Sequence, residues 1–134
     1  MEVYRIMKVI NKIPSYSKLD QSTQRAIKQG IDRLKSRIET YLTYNDSFDS
    51  IGMDDKLIHD AYVSNGKRFF LFKCRIKTIS LRLLYTFEKD NIVVIAYICK
   101  KNSRYEYFDY FENECDEYMH RYHKKDIQRQ TVGG

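Results

Sequence analysis

The clearest pattern in the chain is an apolar stripe with helical spacing between residues 18 and 44. Its members recur at steps of four and three, which places them on one face of a helix. They are Ile27, Ile31, Leu34, Ile38 and Leu42. Ser17 or Asp20 is a suitable residue to cap the first turn. Gly30 weakens the middle of the stretch, so the pattern predicts either one helix or a helical hairpin divided at Gly30.

Three apolar segments in the second half of the chain predict strands, at residues 67–76, 80–87 and 92–99. The last is a nearly continuous apolar run, which is typical of a central buried strand. The short turns between them favour an antiparallel meander. Residues 56–66 are ambiguous, although Asn65-Gly66 is a strong hairpin-turn signal. Residues 1–13 are rich in β-branched side chains and are predicted to form a further strand.

Aromatic residues with helical spacing follow over residues 103–125 and predict a final helix. One face of it would carry Tyr107, Tyr110 or Phe111, Cys115, Tyr118 and Tyr122. The predicted fold class is therefore α+β, with a small antiparallel sheet, an N-terminal helical hairpin and a C-terminal helix. We expect a single domain over residues 1–125 and a polar tail over residues 126–134.

Charge gives the first indication of function. Among 134 residues, 24 Lys and Arg stand against 18 Asp and Glu, so the net charge is +6. Such a surface attracts polyanions, most often nucleic acid, although an anionic membrane or an acidic protein also fits. The three cysteines form no CxxC pair, which indicates neither a zinc site nor a disulfide framework. With no signal-peptide pattern and no apolar segment of membrane-spanning length, we expect a cytoplasmic protein that does not contact membranes.

Cationic side chains interrupt two of the predicted strands. Lys73, Arg75 and Lys77 alternate along the first, so they would share one face of the sheet, and Arg82 lies on the second. A row of cations on one face suits a phosphate backbone. The alternative is the ordinary solvated face of a half-buried sheet.

A second basic group lies where the last strand leads into the last helix. It consists of Lys100, Lys101, Arg104, Tyr105 and Tyr107. A helix N-terminus offers free backbone N–H groups to an anion, and tyrosines can stack on unpaired bases. The alternative is a basic turn followed by a helix with an aromatic core face.

Two histidines, His120 and His123, are spaced for metal binding on the predicted helix, with Asp116 one turn away. A third ligand is not obvious, so a solvated helix is the preferred interpretation and no metal site is predicted.

The segments FFLFKCRI, SLRLLYTFEKDNIVVIAYICKK and SRYEYF resemble the RelE/ParE superfamily of bacterial toxins, including its HigB-like branch. Members share a basic strand, then a strand with an Arg-Leu pair followed by Tyr, then an acidic turn, an apolar strand, a Lys/Arg cluster and a helical tyrosine. This chain differs in having Leu81 before Arg82, where an aromatic is usual, and Lys101 where arginine is frequent.

The resemblance implies a RelE-like fold and a toxin of a toxin–antitoxin system. Its RNases cleave messenger RNA, commonly at the ribosome, by attack of a 2′-OH on the adjacent phosphate without metal or other cofactor. Carried over by position, the catalytic residues would be Lys73, Arg82, Lys101 and Tyr107. Arg82 would stabilise the phosphorane-like transition state, Lys73 would contact phosphate, and Tyr107 would stack on a base or move a proton.

The remaining basic and aromatic residues would bind RNA. They are Arg75, Lys77, Lys100, Arg104 and Tyr105. The resemblance also implies an acidic antitoxin as partner. Two alternatives stay open: a non-catalytic nucleic-acid-binding or regulatory protein, and a ParE-like toxin that acts on a topoisomerase.

Overall fold

A computed structural model describes residues 8–45, 51, 57–58, 60–100 and 107–125 of the chain. Within these residues the chain forms a single sheet, two α-helices and a short 3₁₀ turn. In chain order they are β1 (Val9–Asn11), the 3₁₀ turn (Tyr16–Lys18), α1 (Gln21–Tyr44), β2 (Asp60–Ser64), β3 (Lys67–Ile76), β4 (Ile79–Glu88), β5 (Asn91–Lys100) and α2 (Phe108–Tyr122).

The five strands lie in the order β1-β5-β4-β3-β2. Strands β2 to β5 form the predicted antiparallel meander. β1 instead runs parallel to β5, with Val9 opposite Ile92. The α+β class is confirmed, and the prediction of a purely antiparallel sheet is wrong, because the sheet is mixed. A three-residue strand that pairs with a partner more than eighty positions away leaves no local sequence pattern that reveals its direction.

The turns of the meander follow from local sequence. Asn65 and Gly66 have φ angles of 51° and 81°, as a two-residue hairpin turn of the I′ type requires, and asparagine and glycine tolerate this conformation best. They join β2 to β3, so the hairpin signal is confirmed and residues 60–64, left ambiguous by the pattern, form an edge strand.

The predicted helical hairpin over residues 18–44 is wrong, since α1 is one continuous helix of 24 residues. Asp20 is the cap and accepts a hydrogen bond from the backbone N–H of Thr23. Gly30 does not break the helix. It lies directly against β4, where an added Cβ would collide with Leu81 and come within 3.3 Å of Leu83. The glycine therefore allows close helix–sheet packing, and this packing compensates its low helix propensity.

The sheet has a helix on each face, and each helix buries a separate apolar layer. Under α1 the large buried side chains include Ile27, Leu34, Phe72, Leu83 and Tyr85. Under α2 they include Phe69, Leu71, Leu84, Phe111 and Tyr118. Side chains alternate faces along a strand, so consecutive residues of β3 and β4 supply both layers.

Helix α2 begins at Phe108, and residues 103–106 of the predicted helix lie outside the described residues. Its buried face carries Phe111, Cys115 and Tyr118, as the spacing predicts, together with Met119. Tyr110 and Tyr122 are exposed instead. The predicted tail, residues 126–134, also lies outside the described residues. In the part of the chain that the structure describes, no helix combines the length and apolar character needed to cross a membrane.

Candidate nucleic-acid interface

Strand pairing brings Lys73 and Arg82 side by side. The two residues are direct partners in the β3–β4 register, and Ile98 of β5 lies opposite Arg82. Leu71, Leu84 and Ile98 belong to the apolar layer under α2, so alternation places Lys73 and Arg82 on the α2 face.

Among the described residues β2 is shorter than β3, and we refer to the part of the sheet around residues 72–76 of β3, where no described β2 residue pairs, as the open end. β2 begins at Asp60, which pairs with Leu71, so the described part of β2 does not flank β3 from Phe72 to Ile76. Lys73 and Arg75 project from this stretch and are exposed. Neither forms a salt bridge with another described residue. Two cations are thus accessible on one face, as the pattern predicts.

Lys77 departs from the predicted alternation. β3 ends at Ile76, and Lys77 lies in the turn to β4 with φ at 56°. Its side chain is exposed at the end of β3, but the strand geometry that fixes the face of Lys73 and Arg75 does not extend to it. We refer to Lys73, Arg75 and Lys77 together as the basic row.

Arg82 has a different environment from its neighbours, because its exposed fraction is only 6%. Its guanidinium carbon lies 4.6 Å from the centre of the Tyr107 ring, in cation–π contact. Tyr107 is the N-cap residue of α2, and its ring in turn meets Phe111 edge-on at 5.7 Å. The start of α2 therefore covers the arginine that the resemblance would place against the reacting phosphate.

Tyr107 thus joins Lys73 and Arg82 at one place, although the three residues come from different elements. Of the remaining predicted residues, Lys101, Arg104 and Tyr105 lie outside the described residues. Only the backbone of Lys100 is described, and it pairs with Ser80, two residues beyond Arg82 toward the open end.

Two aromatic residues at the start of α2 were not predicted as site residues. Phe108 is 52% exposed, and its ring packs on Tyr62 of β2 with ring centres 5.0 Å apart. Tyr110 is 42% exposed and contacts Phe111. The sequence offered Tyr110 and Phe111 as alternatives for the core. Phe111 lies four residues before Cys115 and seven before Tyr118, so it shares their buried helix face. Tyr110, one residue earlier, therefore points toward solvent.

A second polar cluster ties the far end of α2 to the sheet. Glu88 Oε1 accepts hydrogen bonds from Tyr118 at 2.6 Å and from His123 Nε2 at 2.7 Å, and Lys67 Nζ lies 3.2 Å away. Burial alone would raise the pKa of Glu88, but the hydrogen bonds and the lysine charge outweigh it and lower that pKa. Burial and the bond to Glu88 raise the pKa of Tyr118. The cluster joins the C-terminal part of α2 to Glu88 at the end of β4.

The histidine pair considered for metal binding is divided between two environments. His123 contacts Glu88, whereas His120 is exposed, and Asp116 accepts a hydrogen bond from Ser64 at 2.5 Å. Among the described residues, no group of three or more His, Cys, Asp or Glu side chains is arranged to hold a metal ion.

On the other face of the sheet, α1 contributes positive charge near the basic row. Arg33 Nη1 donates a hydrogen bond to the backbone carbonyl of Arg75 at 2.5 Å. Burial raises the pKa of the Cys74 thiol, and the charges of Arg33 and Arg37 partly oppose this effect. Arg33 therefore adds a cation on the α1 face, next to the backbone of Arg75.

Comparison with protein-family models, with curated proteins and with solved structures found no match to this chain.

Proposed function

We propose that this protein is a RelE-like toxin that binds RNA on the basic row and cleaves it without a metal ion. The observation that carries the proposal is the meeting of Lys73, Arg82 and Tyr107 at the open end of the sheet. These residues come from β3, β4 and the start of α2, and they are three of the four positions that the resemblance assigns to catalysis.

The proposed reaction is an internal transfer at one phosphate of the RNA chain. The 2′-oxygen attacks phosphorus and loses its proton to a base, while the bond from phosphorus to the 5′-oxygen breaks and that oxygen takes up a proton. The products carry a cyclic 2′,3′-phosphate and a 5′-hydroxyl. Cations beside the phosphate stabilise the charge that develops in the transition state.

The exposure of each residue suggests its role. Lys73 and Arg75 are exposed and would contact the phosphates directly. Tyr107 is partly exposed and carries a hydroxyl that can move a proton. Arg82 lies beneath the Tyr107 ring and would act on the developing charge from below, because an ion in a poorly solvated position interacts more strongly than one in water.

The burial of Arg82 also favours a second candidate, a protein that binds nucleic acid without cutting it. An arginine that is 6% exposed as a residue, with a tyrosine ring over its guanidinium, has little room to meet a phosphate. In that case the basic row would be the whole interface, and binding would weaken with salt while the RNA stayed intact.

The deciding experiment combines induced expression in a bacterial host with mapping of RNA ends. For the toxin, we expect growth arrest and new 5′-hydroxyl ends. Tyr107→Phe keeps the ring over Arg82 and removes only the hydroxyl, so loss of proton transfer should slow cleavage roughly 100-fold or more. Lys28→Gln, which removes an exposed cation on α1, is the matched control and should still arrest growth.

Other outcomes would redirect the proposal. Salt-dependent RNA binding by a harmless, non-cleaving wild type would establish the second candidate. Growth arrest with intact RNA would favour a topoisomerase-directed toxin of the ParE kind. Cleavage of free RNA, compared with RNA on translating ribosomes, shows whether the ribosome is required.

The proposal includes an acidic antitoxin and a cytoplasmic site of action. The partner would cover the basic row, since opposite charges favour that face. Co-expression of an acidic antitoxin should restore growth. Binding between the two purified proteins should weaken as the salt concentration rises.

A further inference from the structure

The ring of Phe108 is an exposed apolar surface on the sheet face that carries Lys73 and Arg75. It is 52% exposed, and it lies on Tyr62 with an angle of 37° between the ring planes. Tyr62 is itself buried and contacts the fully buried Phe111. Phe108 thus packs on a buried aromatic ring while about half of its own surface remains exposed.

The position of this ring relative to the cations follows from the strand register. Tyr62, which supports Phe108, pairs with Phe69 of β3. Lys73 lies four residues further along the same strand and on the same face, so the two positions are about 13 Å apart. One nucleic-acid strand can therefore reach the ring and the cations together.

The neighbouring charges confine the path of such a strand. Asp109 and Glu112 are exposed on the first turns of α2, and their negative charge repels phosphates from the helix side. Lys73 and Arg75 lie on the sheet side. A polyanion that contacts Phe108 would therefore pass over the open end of β3.

An isolated exposed phenylalanine is common on protein surfaces and carries no meaning by itself. Phe108 differs because its ring packs on a buried aromatic side chain and exposed cations lie on the same sheet face, with Lys73 about 13 Å further along β3. This combination of stacking ring and cationic track is how proteins hold single-stranded nucleic acid, since every base has a π-face.

We infer that Phe108 is a stacking platform for an unpaired base of the strand whose phosphates lie on Lys73 and Arg75. The platform selects single-stranded RNA, because a base within a duplex is already stacked and cannot lie on the ring. This inference rests on the proposed RNA-binding function and deepens it by naming the form of the substrate.

The test is fluorescence anisotropy with a labelled single-stranded RNA oligonucleotide, a fully paired duplex of the same length, and a single strand that carries abasic sites. Phe108→Ala should weaken binding of the normal single strand roughly 5- to 150-fold. It should leave binding of the duplex and of the abasic strand unchanged. Tyr44→Ala, which removes an 83% exposed ring from α1, is the control and should bind like the wild type.

Phe108→Leu guards against a folding defect, because leucine retains apolar packing on Tyr62 without a π-face. Folded Phe108→Leu should show the same selective loss. If both Phe108 variants bind the single strand like the wild type while Lys73→Gln weakens it, the stacking inference is wrong and RNA binding stands. If the wild type binds none of the three probes, the RNA-binding function fails and the inference fails with it.

Discussion

The salt dependence of RNA binding gives the sharpest quantitative prediction, because the structure shows three exposed cations in the basic row. Each phosphate neutralised on a single strand contributes about 0.7 to the slope of log K against log salt. The basic row supplies Lys73, Arg75 and Lys77, all exposed, so the row should contribute about −2 to the wild-type slope. Lys73→Gln and Arg75→Gln should each reduce its magnitude by about 0.7.

The assay is anisotropy with the single-stranded oligonucleotide over a series of KCl concentrations. Lys28→Gln removes the same charge from the helix on the opposite face of the sheet and should leave the slope unchanged. An equal reduction in all three variants would show that overall charge drives binding, and the assignment of the interface to the basic row would be refuted. A wild-type slope near zero would exclude phosphate contacts altogether.

Three further predictions concern the fold that supports the interface. Gly30→Ala should lower the free energy of unfolding, since crowding Leu81 costs about 1–3 kcal/mol while the gain in helix propensity is about 1 kcal/mol; urea denaturation that shows a more stable variant would contradict the close packing. Tyr85→Phe should cost about 1–3 kcal/mol in thermal unfolding, because the buried Tyr85 hydroxyl donates to the Leu57 carbonyl at 3.1 Å; an unchanged melting temperature would exclude that role. The pKa of Glu88 is lower in the folded protein than its ordinary value of 4.5, so as pH falls this carboxylate is protonated in the unfolded chain before it is protonated in the folded one. The stabilisation that the ionised Glu88 provides is therefore present above pH 4.5 and is lost as pH falls below that value. The stability difference between wild type and Glu88→Gln should therefore shrink from pH 7 to pH 4, and a difference that grows toward acid would reverse the assignment.

Local sequence was sufficient for the elements that depend on local physics. The three long strands follow from apolar runs, and the β2–β3 turn follows from the backbone freedom of Asn65 and Gly66. The start of α1 follows from the capping chemistry of Asp20. In each case the residues that cause the structure lie within a few positions of it, so the pattern is complete before the chain folds.

Features that depend on tertiary contact could not be predicted in this way. Gly30 has the same low helix propensity whether it breaks a helix or allows a close approach, and only the position of Leu81 decides between them. The Glu88 cluster joins residues 30 and 35 positions apart. The periodicity of β4 or of α2 alone does not predict that Glu88, at the end of β4, contacts residues at the end of α2.

The candidate site shows the same division. Alternation along β3 correctly predicted accessible cations at Lys73 and Arg75, because exposure there depends on the strand itself. The burial of Arg82 depends on where α2 begins, because the N-cap residue of that helix, Tyr107, lies over the Arg82 guanidinium. The resemblance assigns Arg82 to stabilising the transition state, and the sequence pattern did not predict that its guanidinium contacts an aromatic ring.

That contact changes what a substitution at Arg82 can establish. Arg82→Ala would remove a charge and also leave a void beneath Tyr107 at the start of α2, so a loss of activity could arise from chemistry or from displacement of the helix. Lys73 and Arg75 have no such supporting role in the described structure, because both are exposed. Substitutions in the basic row and Tyr107→Phe therefore test the proposed RNA contacts more directly than Arg82→Ala, because they keep the aromatic packing of Tyr107 on Arg82 and Phe111.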